Sequence, residues 1–315
     1  MLPLKNYPTP IAGLTLGIFG IANYWATLVK NTYLSSALLV LLSLVSLSLL
    51  IPLLLKFIRY PRFLLSDLQH PTVGSVLPTM AMSLMYLSHT LALLSDVVAV
   101  GLWFFAIALH CYFFVIFCRH RLQERDFHHH LVPSWFVPPI GMVVACLTVP
   151  SPSFLIVAQT IVAFGTVMYL FMLPIVIYRL SVGHLIEAAR KPTLAVLAAP
   201  ASLILSGYIT VVPNPNPLLV VSLLGIAVLM TVSVYIMLTH LLRLPFTPAY
   251  SAFTFPLAVS ASALLKVSVW SQNIPLFASY QHSFFAASII EGLIASVMIG
   301  YVYQHYVKFL IKSHS

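Results

Sequence analysis

Charge is what this sequence has least of. Asp, Glu, Lys and Arg fill 7% of its 315 positions, whereas a domain bathed in water carries roughly a quarter of its residues as charges. That scarcity excludes an ordinary soluble domain. Cysteine is nearly absent too: Cys111, Cys118 and Cys146 lie in apolar segments without CxxC spacing, a pattern that fits neither a disulfide framework nor a thiolate metal site. HExxH, GxSxG, histidine-box spacing, paired aspartates within apolar runs and a Walker A loop are all missing. An intramembrane enzyme and an ATP-driven pump are therefore not expected, and no cofactor is. Nothing near the N-terminus resembles a cleavable signal; the first apolar run follows a single lysine and leads into further runs.

What the sequence has is hydrophobicity: 61% of residues are apolar and the mean hydropathy is +1.02. In lipid, only helix bundles and closed barrels satisfy every backbone polar group. Barrel strands alternate apolar and polar residues over about ten positions, but the runs here are continuous and far longer, as in Leu34–Leu55 and Phe154–Ile177. The expected fold is all-α, a single transmembrane domain over 1–315. A spanning helix needs about 20 apolar residues, which predicts ten spans near 9–29, 34–55, 72–95, 97–118, 134–150, 153–178, 193–212, 217–239, 249–270 and 283–307.

The basic residues then sort by side. Lys5, Lys56, Arg59, Arg62, Arg119, Arg121, Arg125, Arg179, Arg190, Lys191, Arg243, Lys308 and Lys312 flank the spans on one face; Lys30 lies on the other, and Lys266 sits inside the ninth span. The positive-inside rule puts both termini in the cytoplasm of a cell-membrane protein. The formal net charge of +9 is explained by topology, and no nucleic-acid partner is required. His128, His129 and His130 read as a solvated loop in preference to a metal site, so no metal is expected.

Proline carries a second pattern. Pro78, the pair Pro138 and Pro139, Pro200 and Pro256 fall in spans 3, 5, 7 and 9, about one helical hairpin apart, while span 1 has Gly13, Gly17 and Gly20 in place of a central proline. A proline in a helix frees a carbonyl that lipid cannot satisfy, so these helices belong inside the bundle. They are also rich in small residues that allow close approach, as in Ala198–Ser202. Five hairpins in a ring, odd helices lining a pore and Leu/Val/Ile-rich even helices facing lipid, is the expected architecture.

Four motifs occur in order. They are His70-Pro71 with Ser75 and Pro78-Thr79; Pro133-Ser134-Trp135-Phe136-Val137-Pro138-Pro139; Leu197-Ala198-Ala199-Pro200; and Tyr250-Ser251-Ala252-Phe253-Thr254-Phe255-Pro256. Together they resemble the tellurite-resistance/dicarboxylate transporter family, which includes TehA proteins, malate and sulfite transporters and plant slow-type anion channels. The resemblance implies a pseudo-fivefold ten-helix protomer, a homotrimer, and a pore-occluding phenylalanine at Phe255. The plant-channel branch also carries a lysine at the position of Lys266.

Helical phase bears on these residues independently. Phe255, Val259, Ser262 and Lys266 share one face, with Phe255 and Lys266 about 16 Å apart at ~1.5 Å rise per residue. A lysine within a span must face protein or water. Lys266 either lines an outer vestibule and concentrates anions or pairs with Glu291 of the tenth span. Ser75 and Thr79 either offer hydroxyls to an anion or bond back to their own helix. His70 either caps the cytoplasmic entrance or ends its loop. The expected function is a channel for small inorganic or organic anions, gated by Phe255. The alternative is a proton-coupled C4-dicarboxylate, sulfite or tellurite/toxic-compound transporter of the same family.

Overall fold

The computed structural model describes residues 4–124, 130–183 and 185–312; Arg125, His128 and His129 lie outside them. Every regular element among the described residues is helical. Five long helices occupy the expected even positions: α2 (Thr32–Arg59), α6 (Asp96–Leu122), α9 (Leu155–Val182), α11 (Pro217–Leu241) and α13 (Gln281–Lys312), while α1 (Ile11–Leu28) forms the first span. Side chains cap several starts: Asn31 accepts from the Leu34 N–H, Ser95 from Val98 and Asn216 from Leu218, which satisfies donors a helix start leaves free.

The remaining odd spans are not uniform helices. The third comprises the single turn α4 (Val73–Val76) and then α5 (Thr79–Leu91), preceded by the short α3 (Pro61–Gln69). The fifth is a chain of short pieces, Pro133–Phe136, α7 (Val137–Ile140), Gly141–Val143 and α8 (Val144–Leu147). The seventh and ninth each begin as a 3₁₀ turn, Lys191–Ala198 and Pro248–Phe253, before α10 (Ala199–Val211) and α12 (Phe255–Ser271). Eight helices among the described residues are long and apolar enough to cross a membrane; the segments expected over 72–95 and 134–150 are broken and are not among them. Nor do the prolines of the odd spans stand deep inside long helices, as Pro52 and Pro174 do in α2 and α9. Pro78 immediately precedes α5, and Pro138, Pro200 and Pro256 stand in the first turns of α7, α10 and α12, where the missing N–H would have had no helical partner anyway. Pro10 does the same for α1.

Burial divides the helices sharply. In the most apolar stretch of α1, of the segment ending in α10 and of the segment ending in α12, 72%, 78% and 83% of residues are buried; in α2, α6, α9, α11 and α13 the share is 33% or less. The latter present exposed Leu, Val, Ile and Phe side chains outward, such as Leu41, Phe105, Leu170, Leu229 and Val297. Each of α2, α6, α11 and α13 packs on the odd segment before it, while α1 packs on α5 and α12, α12 on α10, α10 on α8, and α8 on α5.

Small residues set the closest approaches. A Cβ on Gly17 would lie 2.5 Å from Thr254 Cβ and 3.1 Å from the Phe255 amide nitrogen, and the Thr254 hydroxyl donates to the Gly13 carbonyl at 2.9 Å. Gly17→Ala is therefore expected to lower stability by about 1–3 kcal/mol, the usual range for overpacking, whereas Gly101→Ala, with nothing within 4 Å, is not. Thermal unfolding of the two variants in the same detergent measures the difference.

Candidate anion pathway

Among the described residues, the odd segments border an inner and an outer cavity. The inner one has a volume near 70 Å³ and is lined by all five, through residues such as Gly13, Thr79, Ile140, Pro200 and Phe255. It sits where four helices of thirteen residues or more begin: Pro10 precedes α1, Thr79 opens α5, Ala199 and Pro200 open α10, and Phe255 and Pro256 open α12. The outer cavity, near 530 Å³, is lined by Asn23, Tyr86, His89, Thr210 and Lys266 among others.

An aromatic pair lies between them. The Phe255 ring, 5% exposed, lines the inner cavity, while Tyr86 lines the outer one. Their centroids are 6.4 Å apart at 68°, edge to face. Gly20 makes room for the ring, since a Cβ there would approach Phe255 Cδ2 to 3.2 Å.

The other residues singled out from sequence are placed as follows. Pro200, Pro256 and Thr79 line the inner cavity, and Ser262 and Lys266 the outer one. Pro78, Pro138, Pro139, Ser75 and Val259 line neither. Ser75 bonds to the Thr72 carbonyl at 2.7 Å and to Ser134 at 2.6 Å, and Thr79 donates to the Val76 carbonyl at 2.6 Å. Both hydroxyls thus donate to a carbonyl of their own segment, while Ser75 also reaches the fifth segment and Thr79 borders the inner cavity. His70 Nδ1 accepts from the N–H groups of Thr72 and Val73, both at 3.2 Å, and so caps α4; burial, then the charge of Arg190, lowers its pKa below the ordinary imidazole value.

Glu291 and Lys266 do not meet. Glu291 accepts a 2.6 Å hydrogen bond from Ser260, whose oxygen lies 3.0 Å from the Thr231 hydroxyl, so the acid faces the seam of α11, α12 and α13. Lys266 forms no ion pair or hydrogen bond among the described residues. Sequence reasoning passed over Tyr86, His89 and Pro10. Pro10 had a readable signal, lying 68 positions before Pro78 in the same hairpin-length series; the other two are placed by packing across the bundle.

A family model described as SLAC1, voltage-dependent anion channel, matches residues 6–302. Two relatives from Methanocaldococcus jannaschii are named uncharacterized transporters. One is 26% identical over 230 residues, covering 65% of this chain and 67% of the relative; the other is 25% identical over 257 residues, covering 71% and 72%.

That Lys266 has no ionic partner among the described residues can be tested directly. Lys266→Gln should leave the thermal midpoint of the purified protein unchanged or raised, whereas Ser260→Ala, which takes the donor from Glu291, should cost about 1–3 kcal/mol. The opposite order would mean that an ion pair holds the lysine.

Proposed function

The chain belongs to the voltage-dependent anion channel family, and from that premise we propose that it passes small anions through a pathway running from the inner cavity, past Phe255, to the outer cavity. The observation that carries this reading is the Phe255 ring standing between two cavities that share no lining residue. Helix starts support the preference for anions. Four helix N-termini border the inner cavity, and each brings the positive end of a dipole, although several of their first N–H groups bond back to the preceding turn, as Ile11, Ala12 and Gly13 do to Pro8, Thr9 and Pro10. Partial charges of this kind attract an anion without holding it as tightly as a fixed cation would, which suits conduction.

The same reading takes the chain as one transmembrane domain of ten crossings in five hairpins. The succession of contacts α1, α5, α8, α10, α12 and back to α1 supports an inner fivefold ring, with the five well-exposed helices outside it. The distribution of basic residues supports cytoplasmic termini in the cell membrane. A homotrimer of such protomers is proposed on the family resemblance alone. The alternative, a proton-coupled transporter of C4-dicarboxylate, sulfite or tellurite, would need an acid on the pathway. Glu291 lines neither cavity and is bonded to Ser260, which weighs against it.

Phe255→Ala is expected to give a constitutive anion current in planar bilayers, at least tenfold above wild type for matched amounts of protein. Phe253→Leu changes a ring that packs on Tyr250 at 4.8 Å and lines neither cavity, and should leave the current as it was. Wild-type current from a folded Phe255→Ala protein would place the barrier elsewhere.

A further inference from the structure

Lys266 and His89 both line the outer cavity, from α12 and α5 respectively. Neither makes a side-chain hydrogen bond or ion pair among the described residues. No carboxylate lines this cavity among the described residues; Glu291 is turned toward Ser260. A cation inside a span is costly unless water or a counter-anion compensates it. Two basic side chains have therefore been brought to one cavity with no counter-charge among the described residues that line it.

We propose that Lys266 and His89 form a two-point site for a small oxyanion in the outer cavity, with His89 taking up a proton as the anion binds. The site rests on the pathway reading above and names the class of anion that pauses there. Lysine offers three rotatable donors around a compact charge, and the imidazole adds a directional N–H from another helix. Asn273, which lines the same cavity, supplies an amide. An anion with several acceptor oxygens can engage donors from separate helices at once; a halide offers a single centre.

Linkage gives the sign of the pH effect. An anion held beside the imidazole favours the imidazolium, so binding takes up a proton and tightens as pH falls through the titration of His89. The titratable groups that face it across the cavity are Lys266 from α12, Tyr24 from α1 and Tyr86 from α5 itself. The residues from α8 and α10, Leu147, Ile209 and Thr210, do not titrate. Helices α2 and α6 pack against α5 but contribute no side chain to the lining, Asp96 at the start of α6 included. Tyr24 is engaged as a donor to the Ser288 carbonyl at 2.8 Å.

The test is thermal unfolding of purified, detergent-solubilised protein with sodium nitrate or sodium chloride, at about pH 5.5 and about pH 8, on either side of the ordinary imidazole range. A ligand that binds only the folded state raises the midpoint with its concentration. Nitrate should raise it more than chloride does, and by more at the acid pH. His89→Gln should lose the acid increment and keep the rest. Lys266→Gln should lose the nitrate-specific shift at both pH values, and Lys266→Arg, which keeps the charge, should retain it. Equal shifts from nitrate and chloride, or a nitrate shift untouched by either loss-of-charge variant, would overturn the site. The readout needs no transport, so the site can fail while the Phe255→Ala current stands, and the current can fail while nitrate binding stands.

Discussion

A backbone carbonyl that loses its helical donor has no partner in hydrocarbon, and the organisation of this protein follows from that constraint. The odd segments are broken and therefore carry unpaired carbonyls. The surrounding helices supply the missing donors. His110 on α6 is 2.8 Å from the Pro138 carbonyl through Nε2; because a carbonyl only accepts, that nitrogen carries the proton. Gln159 on α9 donates at 2.8 Å to Val211, the last carbonyl of α10, and Trp103 on α6 adds a 3.2 Å bond to the Ala145 carbonyl, which also accepts from the Thr148 N–H. An orphaned buried carbonyl costs about 1–3 kcal/mol, so these few polar residues on otherwise apolar outer helices hold the interior in its broken form.

Breaking the odd segments has a functional return. A continuous helix presents side chains along its whole length, and its free N–H groups sit at the membrane surface. Restarting the helix at a proline brings the positive end of its dipole inward, to the rim of the inner cavity. Nearly all fixed charge is thereby kept out of the middle of the bundle: partial charges at helix ends border the inner cavity, and the full charge of Lys266 stands in the outer one, beyond the Phe255 and Tyr86 rings.

Much of this was legible in the sequence. Hydropathy located the long outer helices because their apolar runs are uninterrupted, and the hairpin-length spacing of prolines singled out the inner segments. It was less able to say what the prolines do. Pro200 and Pro256 stand in the first turns of α10 and α12, after 3₁₀ leads built largely of Ala, Leu, Val, Tyr and Phe, residue types that helices also use, so composition alone does not reveal the change. Uniform helical phase from Phe255 to Lys266 grouped Val259 with them, yet Val259 is buried away from both cavities. Depth along the chain suggested Lys266 and Glu291 as partners; rotation about their helices separates them. Tyr86 and His89 have no local signature, since their roles come from what α12 brings opposite them.

The central claim is that the protein holds two compartments, reached from opposite sides and separated at Phe255. Sided thiol labelling measures it most directly. With Cys111, Cys118 and Cys146 replaced by serine, a single cysteine is placed either at Val196, on the inner cavity, or at Ser262, on the outer one. A small charged thiol reagent added outside should label position 262 and leave 196 unmodified, and the same reagent inside should do the reverse. Removal of the ring in Phe255→Ala should let it reach both from either side. Labelling of both positions from one side with Phe255 intact would contradict the account.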